Sequence, residues 1–251
     1  MLLAVLLVIS VASANAQSAS PSAIDLNAIL VRMEQAQARV RADQPAYTVT
    51  RAYKFFASDP KKTSSEVIAR VDYQPPSTQN FSIEKATGSS QGEKIVKKVL
   101  EHEKEAAREP DCSGAVNRAN YNFQYLRTDT LNGRRAYVLQ ITPKEKNKNT
   151  LMGQIWVDAG NYLLRRVEGD LSKSPSWWIK DVHLVLTYGQ MAGVWVETAV
   201  TAVADVRLLG AHTMIAQAMN LEPAITVANM ATSARPARAP VRNVSLGVLQ
   251  P

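Results

Sequence analysis

The sequence contains very little cysteine and histidine. Cys112 is the single cysteine of the 251 residues, so no internal disulfide can form. The fold must therefore rest on its hydrophobic core, which excludes the small disulfide-stapled modules common among secreted proteins. The three histidines are far apart, and no pair has the spacing of metal ligands. We therefore predict that the protein holds no metal ion or other cofactor and uses no catalytic thiol.

The sequence is also poor in catalytic motifs. Gly88-Ser89-Ser90-Gln91-Gly92 matches the G-x-S-x-G pattern of a hydrolase nucleophile elbow. The preceding strand alternates polar and apolar residues, however, whereas the nucleophile strand of a hydrolase is buried on both faces. We interpret the segment as a turn before a helix and predict that the protein is not an enzyme. A hydrolase with Ser90 as its nucleophile is the alternative.

A surface carrying charge of only one sign is missing as well, although the formal net charge is +7. Between residues 91 and 108, four lysines are interspersed with four glutamates, Glu103 among them. Such mixing is typical of a solvated helix face with salt bridges along it, and differs from the basic stripe of a nucleic-acid-binding protein. We therefore predict no nucleic-acid partner.

Both ends of the chain are expected to lie outside the folded domain. Residues 1–16 are apolar and end in Ala14-Asn15-Ala16, which predicts a signal peptide cleaved after Ala16 and export to the periplasm. Residues 17–22 are expected to be a short linker. Residues 221–251 are rich in Pro, Ala and Arg and predict a flexible tail, with a tether to anionic lipid as an alternative. One domain remains, over residues 23–220.

Alternation of apolar and polar residues is what the sequence has in abundance. It is clearest from Gly153 to Gly169, where a turn cluster beginning at Asp158 separates two strands. Residues 176–198 repeat the pattern, and Asn132-Gly133 marks another hairpin. These segments predict long antiparallel strands joined by short turns.

Two helices complete the predicted order of elements. One runs from an Asp25 cap to about Arg41, and the other occupies about residues 91–108 after three strands. Because helices and strands do not alternate, a parallel sheet is excluded. The sequence predicts an α+β fold: a strongly curved antiparallel sheet of about ten strands, forming an unclosed β-barrel, with both helices covering its concave face.

Three segments resemble a known family. They are Tyr73-Gln74-Pro75-Pro76, Phe81-Ser82-Ile83 and the hairpin from Ile155 to Gly169. In these and in its order of elements, the chain resembles the LolA/LolB-like superfamily of periplasmic lipoprotein carriers, the outer-membrane lipoprotein-sorting proteins in particular. The resemblance implies a helical lid over a hydrophobic cavity for acyl chains. Gln74 departs from the arginine expected there, so lipid binding is implied more firmly than lipoprotein hand-over.

Apolar side chains at alternating positions supply a candidate cavity, interrupted in the first strand by Arg51. Burying each methylene group of an acyl chain contributes about 0.8 kcal/mol, so no polar motif is required. Filling of a solid core by the same side chains is one alternative. An envelope sensor or interaction module that binds a membrane protein partner, without a transported lipid, is another. The predicted cavity residues are Tyr53, Phe55, Phe81, Leu139, Trp156 and Leu184, and the predicted lid residues are Ile95, Val96, Val99 and Leu100.

Overall fold

A computed structural model of the chain describes residues 24–57, 62–108, 114–174, 176–177, 179–208 and 210–224. The expected signal peptide and linker, Cys112 and the tail beyond residue 224 lie outside this range. In chain order the elements are α1 (Leu26–Asp43), β1 (Tyr47–Phe56), β2 (Thr63–Gln74), β3 (Thr78–Gly88), α2 (Ser90–Arg108), β4 (Tyr121–Leu131), β5 (Arg134–Pro143), β6 (Leu151–Asp158), β7 (Leu164–Leu171), β8 (Ile179–Met191), β9 (Val194–Val206) and β10 (Gly210–Pro223).

The strands form one antiparallel sheet in the order β3-β2-β1-β10-β9-β8-β7-β6-β5-β4. Each strand pairs with its neighbour in sequence, apart from the β1–β10 pair that joins the two ends of the meander. The edges β3 and β4 do not pair with each other, so the barrel is unclosed. The predicted fold class is thus confirmed. Strand β10 runs to Pro223, three residues into the predicted tail.

Paired residues make two rows that cross the inner, concave face of the sheet from edge to edge. Directly paired residues on neighbouring strands point to the same face. The first row is Tyr125, Leu139, Ile155, Val167, Leu186, Val200, Ala216, Tyr53, Val67 and Ala86, and the second is Phe123, Ile141, Gly153, Gly169, Leu184, Ala202, Met214, Phe55, Ser65 and Gly88.

The close approach of two backbones requires glycine at both positions of the Gly153–Gly169 pair in the second row. A Cβ atom at Gly153 would collide with the carbonyl oxygen of Glu168, and one at Gly169 with that of Met152. Strands β6 and β7 therefore approach each other more closely there than a side chain allows. As a result, the second row has no side chain on β6 or β7, the two strands that precede Leu184 of β8 in the row.

Helix α1 covers the β4–β7 half of the inner face. Its Asp25 cap accepts a hydrogen bond from the Ala28 amide at 3.2 Å, as the sequence predicted. Ile29, Leu30 and Met33 are buried against a cluster that includes residues of all four strands: Tyr121, Leu139, Ile141, Ile155, Val157 and Val167.

Helix α2 covers the opposite half, formed by β1–β3. Val96 and Leu100 are fully buried, in a cluster with Val49, Tyr53, Phe55, Val67, Ala69 and Val71. The helix begins at Ser90, so the Gly-Ser segment is a strand-to-helix turn. Ser90 is exposed and has no hydrogen bond to a histidine among the described residues.

Candidate functional site

A strip of half-buried apolar residues lies on the inner face between the two helices. It runs along β8, β9 and the start of β10, and we call it the central strip: Leu184, Leu186, Val200, Ala202 and Met214. Leu184 and Ala202 belong to neither of the clusters beneath the helices. The two helices thus bury the flanks of the inner face and leave its middle partly accessible.

Five of the six predicted cavity residues fall into three places on the inner face. Tyr53 and Phe55 are buried beneath α2, together with the half-buried Phe81. Leu139 lies beneath α1, and Leu184 lies in the central strip between them. The structure therefore brings three of the six residues together and leaves the others on separate parts of the sheet.

Trp156 does not lie on the inner face, which corrects the sequence-based expectation. Ile155 and Val157 occupy the inner positions of β6, and strand alternation turns the residue between them outward. Trp156 packs on the outer face against Ala136 and Val138, with the guanidinium of Arg166 5.4 Å from its ring centre.

The predicted lid residues are divided by the faces of α2. Val96 and Leu100 point at the sheet, and Val99 is half-buried beside them. Ile95 is 43% exposed and does not belong to the packed face. Contact of these side chains with a ligand stays a prediction.

An ion pair connects α2 to the sheet within this apolar surrounding. Arg51 of β1 donates from Nη1 to Oε2 of Glu103 at 2.7 Å. The two side chains are only 12% and 30% exposed, respectively. Gln79 of β3 donates to the same carboxylate oxygen at 3.4 Å. A partly buried carboxylate therefore ties the helix to two strands.

A second carboxyl group lies beside the same guanidinium. Burial raises the pKa of Glu197 on β9 to about 7, while Arg51 lowers it and Glu103 raises it. Burial lowers the pKa of the Arg51 guanidinium. The nearby Glu103 and Glu197 outweigh this effect of burial and raise the pKa above its usual value. At neutral pH the cluster thus has one permanent cation and one carboxyl group, Glu197, that is partly protonated.

Two tyrosines complete this polar cluster. Burial raises the pKa of Tyr53 to about 12 and also raises that of Tyr188, where Glu197 adds to the effect. Within the described ranges, the Tyr53 hydroxyl and Nε of Arg51 are buried without a hydrogen bond of good geometry. They are nevertheless close enough for Tyr53 to affect the pKa of Arg51. The cluster therefore retains unused hydrogen-bonding capacity.

The sequence indicated only one member of the cluster. Arg51 interrupts an apolar strand face, and an inward arginine requires an acidic partner. Glu103 was placed on the solvated face of α2, and the Arg51 contact corrects that placement. No sequence signal pointed to Glu197 or Tyr188, because both come near Arg51 only through the curvature and pairing of the sheet.

Two further features are absent from the described part of the chain. No helix there is long and apolar enough to cross a membrane. No group of three His, Cys, Asp or Glu side chains among those residues is placed to hold a metal ion.

Solved structures similar to this chain include members of the family that its sequence resembles. A LolA superfamily protein from Nitrosomonas europaea is 14% identical, with 83% of this chain and 97% of that chain covered and a TM-score of 0.42. An outer membrane lipoprotein-sorting protein domain from Vibrio parahaemolyticus is 12% identical, with 82% and 97% covered and a TM-score of 0.39. The Pseudomonas aeruginosa MucA/MucB complex is more distant, at 8% identity, 77% and 98% coverage and a TM-score of 0.26.

No curated protein matches the sequence. Residues 47–221, from the first residue of β1 to near the end of β10, match the family described as "Family of unknown function (DUF5686)". The protein therefore belongs to the DUF5686 family.

Proposed function

We propose that the protein is a periplasmic carrier that binds the acyl chain of a lipid or lipoprotein on the inner face of its half-barrel. The observation that supports this function best is the arrangement around α2. Two fully buried side chains and one interior ion pair attach this helix, and a partly accessible apolar strip lies next to it. Such a helix can act as a lid, and such a strip can receive an acyl chain.

The second row of inner residues suggests the path of the chain. Leu184, Ala202, Met214 and Phe55 follow one another across four strands, from the open strip to the residues beneath α2. Each methylene group buried on this path contributes about 0.8 kcal/mol.

The charge cluster makes movement of α2 less costly than a simple buried ion pair would. When one partner of a buried pair leaves, the other is normally left as an uncompensated charge. Here Arg51 has a second carboxyl group, Glu197, on a strand that stays in place. If α2 moves away with Glu103, Glu197 can release its proton and balance Arg51. The presence of both Glu103 and Glu197 beside Arg51 thus lowers the cost of opening α2 as a lid.

Extraction of bound lipid tests this function. Protein purified from periplasm without detergent is extracted with organic solvent, and the extract is analysed by mass spectrometry. We expect roughly stoichiometric phospholipid or acylated peptide, and uptake of a fluorescent fatty acid by the delipidated protein. Recovery of the protein in the cytoplasmic fraction, or a protein that neither contains lipid nor takes up the fatty acid, would refute the proposal.

A pair of variants on β9 locates the binding surface. Ala202→Phe places an aromatic ring in the central strip, and Val203→Phe places the same ring on the outer face of the same strand. We expect Ala202→Phe to weaken fatty-acid binding about tenfold or more, and Val203→Phe to leave it unchanged. Equal effects of the two variants would show that the inner face is not the site.

Exposed side chains at one end of the sheet favour a second candidate function, which is the binding of a membrane protein partner without a lipid. Trp177 is 84% exposed, and Leu208 on the neighbouring turn is fully exposed. Arg207 donates a hydrogen bond to the carbonyl oxygen of Trp177 at 2.8 Å and holds the two loops together. Lipid-free protein that is crosslinked through position 177 to one envelope protein would favour this function.

A further inference from the structure

A cleft of about 410 Å³ opens at the end of the sheet where α1 terminates. The last turn of α1, the turn between β6 and β7, and the turn between β8 and β9 form its walls. It lies outside the interior beneath α2, and none of the residues of the charge cluster around Arg51 lines it. The charged and aromatic side chains around it are Arg39, Asp43, Arg134, Arg165 and Trp195.

Asp158 fixes two of these arginines in place. Its Oδ2 accepts hydrogen bonds from Nε of Arg134 at 2.7 Å and from Nε of Arg165 at 2.6 Å. Its Oδ1 accepts from the Gly160 and Asn161 amides at 2.8 and 3.1 Å. Burial alone would raise the pKa of Asp158, but these hydrogen bonds hold it well below its usual value. The carboxylate is therefore permanently charged and fully occupied.

Two guanidinium groups thus share one carboxylate, which leaves an excess of positive charge. The bonds to Asp158 use Nε of Arg165 and leave both of its terminal nitrogens without a hydrogen bond among the described residues. The Arg165 guanidinium also lies 5.2 Å from the centre of the Trp195 ring, which fixes its plane. Its side chain is 19% exposed, so unused N–H donors are held rigidly at the cleft wall.

The third arginine enters the cleft from α1. Arg39 is exposed and forms no ion pair within the described part of the chain. Asp43, one turn later, is the only acidic side chain that lines the cleft among the residues that the structure describes. Counting Asp158 behind the wall, three cations face two anions, so the cleft has an excess positive charge.

We propose that this cleft binds the phosphate group of an organic phosphate. Guanidinium groups match phosphate oxygens through paired N–H donors, and the Arg165 guanidinium is oriented in advance by Asp158 and Trp195. Val40, Leu163 and Trp195 provide an apolar wall for the organic part of the ligand. The volume fits a lipid headgroup or a small free phosphate ester. This site is independent of acyl-chain binding on the inner face.

Calorimetric titration of the whole protein at low salt tests the proposal with two probes. Glycerol 3-phosphate represents the free ester, and dihexanoyl phosphatidylglycerol below its micelle concentration represents the headgroup. Binding of both probes identifies a free-phosphate site. Binding of the lipid alone identifies a headgroup site if Arg39→Gln weakens it, whereas lipid binding that this variant leaves unchanged belongs to the acyl-chain surface and counts against the cleft. Either binding must weaken as salt is added. Failure of both probes to bind at about 10 mM, where even a millimolar site would be nearly filled, would overturn the proposal.

Matched variants on α1 distinguish this cleft from general attraction by the positive protein. Arg39→Gln removes a cleft cation, and Arg41→Gln removes an equally exposed one two residues away that does not line the cleft. We expect Arg39→Gln to weaken probe binding about tenfold, as loss of one charged hydrogen bond does, and Arg41→Gln to have no effect. Equal losses in the two variants would overturn the assignment.

Discussion

The two helices cover opposite halves of one sheet, but they are attached differently. Helix α1 buries Ile29, Leu30 and Met33 in an apolar cluster, and its ion pair with the rest of the protein, Glu34–Arg118, lies at the surface. Helix α2 buries two apolar side chains fully and places its ion pair, Arg51–Glu103, in the interior. One helix is therefore held by apolar packing, and the other by a mixture of packing and buried charge.

The difference matters because the two kinds of attachment respond differently to conditions. Apolar packing depends little on pH or salt, so α1 stays in place wherever the protein is folded. A buried ion pair depends on the protonation and the position of each partner, and a nearby acid can replace one of them. We therefore expect the α1 half to act as a fixed support and the α2 half to be the part that can rearrange.

The largest expected effect comes from shortening a buried side chain of α1. Met33 is fully buried, so Met33→Ala should lower the free energy of unfolding by about 3 kcal/mol through lost burial and an unfilled cavity. Because α1 is part of the fixed support, we expect one cooperative urea transition at a lower midpoint. Exposed Gln35→Ala is the control. Loss of α1 alone, with the rest of the sheet unchanged, would contradict the comparison.

Removing the interior charge of α2 should act locally. Glu103→Gln leaves Arg51 with a weaker acceptor, and we expect a cost of about 2 kcal/mol, below that of a fully buried pair because Glu103 is 30% exposed. Amide hydrogen exchange should become faster in α2 and stay unchanged in α1. Exposed Glu101→Gln on the same helix should leave both rates unchanged. Equal acceleration in both helices would show that they form one cooperative unit.

The protonation of Glu197 should give the α2 half a pH dependence of its own. The folded protein keeps this proton up to about pH 7, whereas the unfolded chain loses it near its ordinary pKa of 4.5. Stability therefore falls as the pH rises from 4.5 to about 7, by about 1 kcal/mol after allowance for solvent around a half-buried side chain. Arg51 and Glu103 act on Glu197, and Tyr47, Tyr53 and Tyr188 are titratable groups whose pKa Glu197 raises in turn.

A pair of denaturation series checks this dependence. Urea unfolding of the wild type and of Glu197→Gln is measured from pH 4.5 to 8. Taking the difference between the two proteins cancels the contribution of every other titrating group to the free energy of unfolding. The wild type should lose stability relative to the variant across that range. A difference between the two proteins that stays constant with pH would contradict the assigned shift.

The fold could be predicted from the sequence because its signals are local. The Asp25 cap, strand alternation and Asn132-Gly133 each specify a short segment independently of the rest. Both turn residues have positive φ, of 51° and 74°, the conformation that the Asn-Gly pair favours. Ten such segments in a row, without helices between the later ones, leave a meander as the simplest solution.

The candidate site was less predictable because it depends on which face of each strand points inward. In β6, Ile155, Trp156 and Val157 are all apolar, so alternation alone left two choices, and the larger side chain was the wrong one. The charge cluster was harder still, since its carboxyl groups come from α2 and β9, about 50 and 150 residues after Arg51 in the sequence.

The smallest effect is expected from the surface ion pair of α1, Glu34–Arg118, which tests whether this helix depends on charge. Arg118 donates to Glu34 through its backbone amide, Nε and Nη2, at 2.7–3.1 Å, and these bonds lower the pKa of Glu34 despite its partial burial. The Arg118 side chain is 45% exposed, so water and salt screen the pair. Glu34→Gln should therefore lower stability less than Glu103→Gln, and the loss should shrink in high salt. A loss as large as that of Glu103→Gln would mean that α1 also depends on charge. The two helices would then be attached alike, and nothing would mark the α2 half as the movable one.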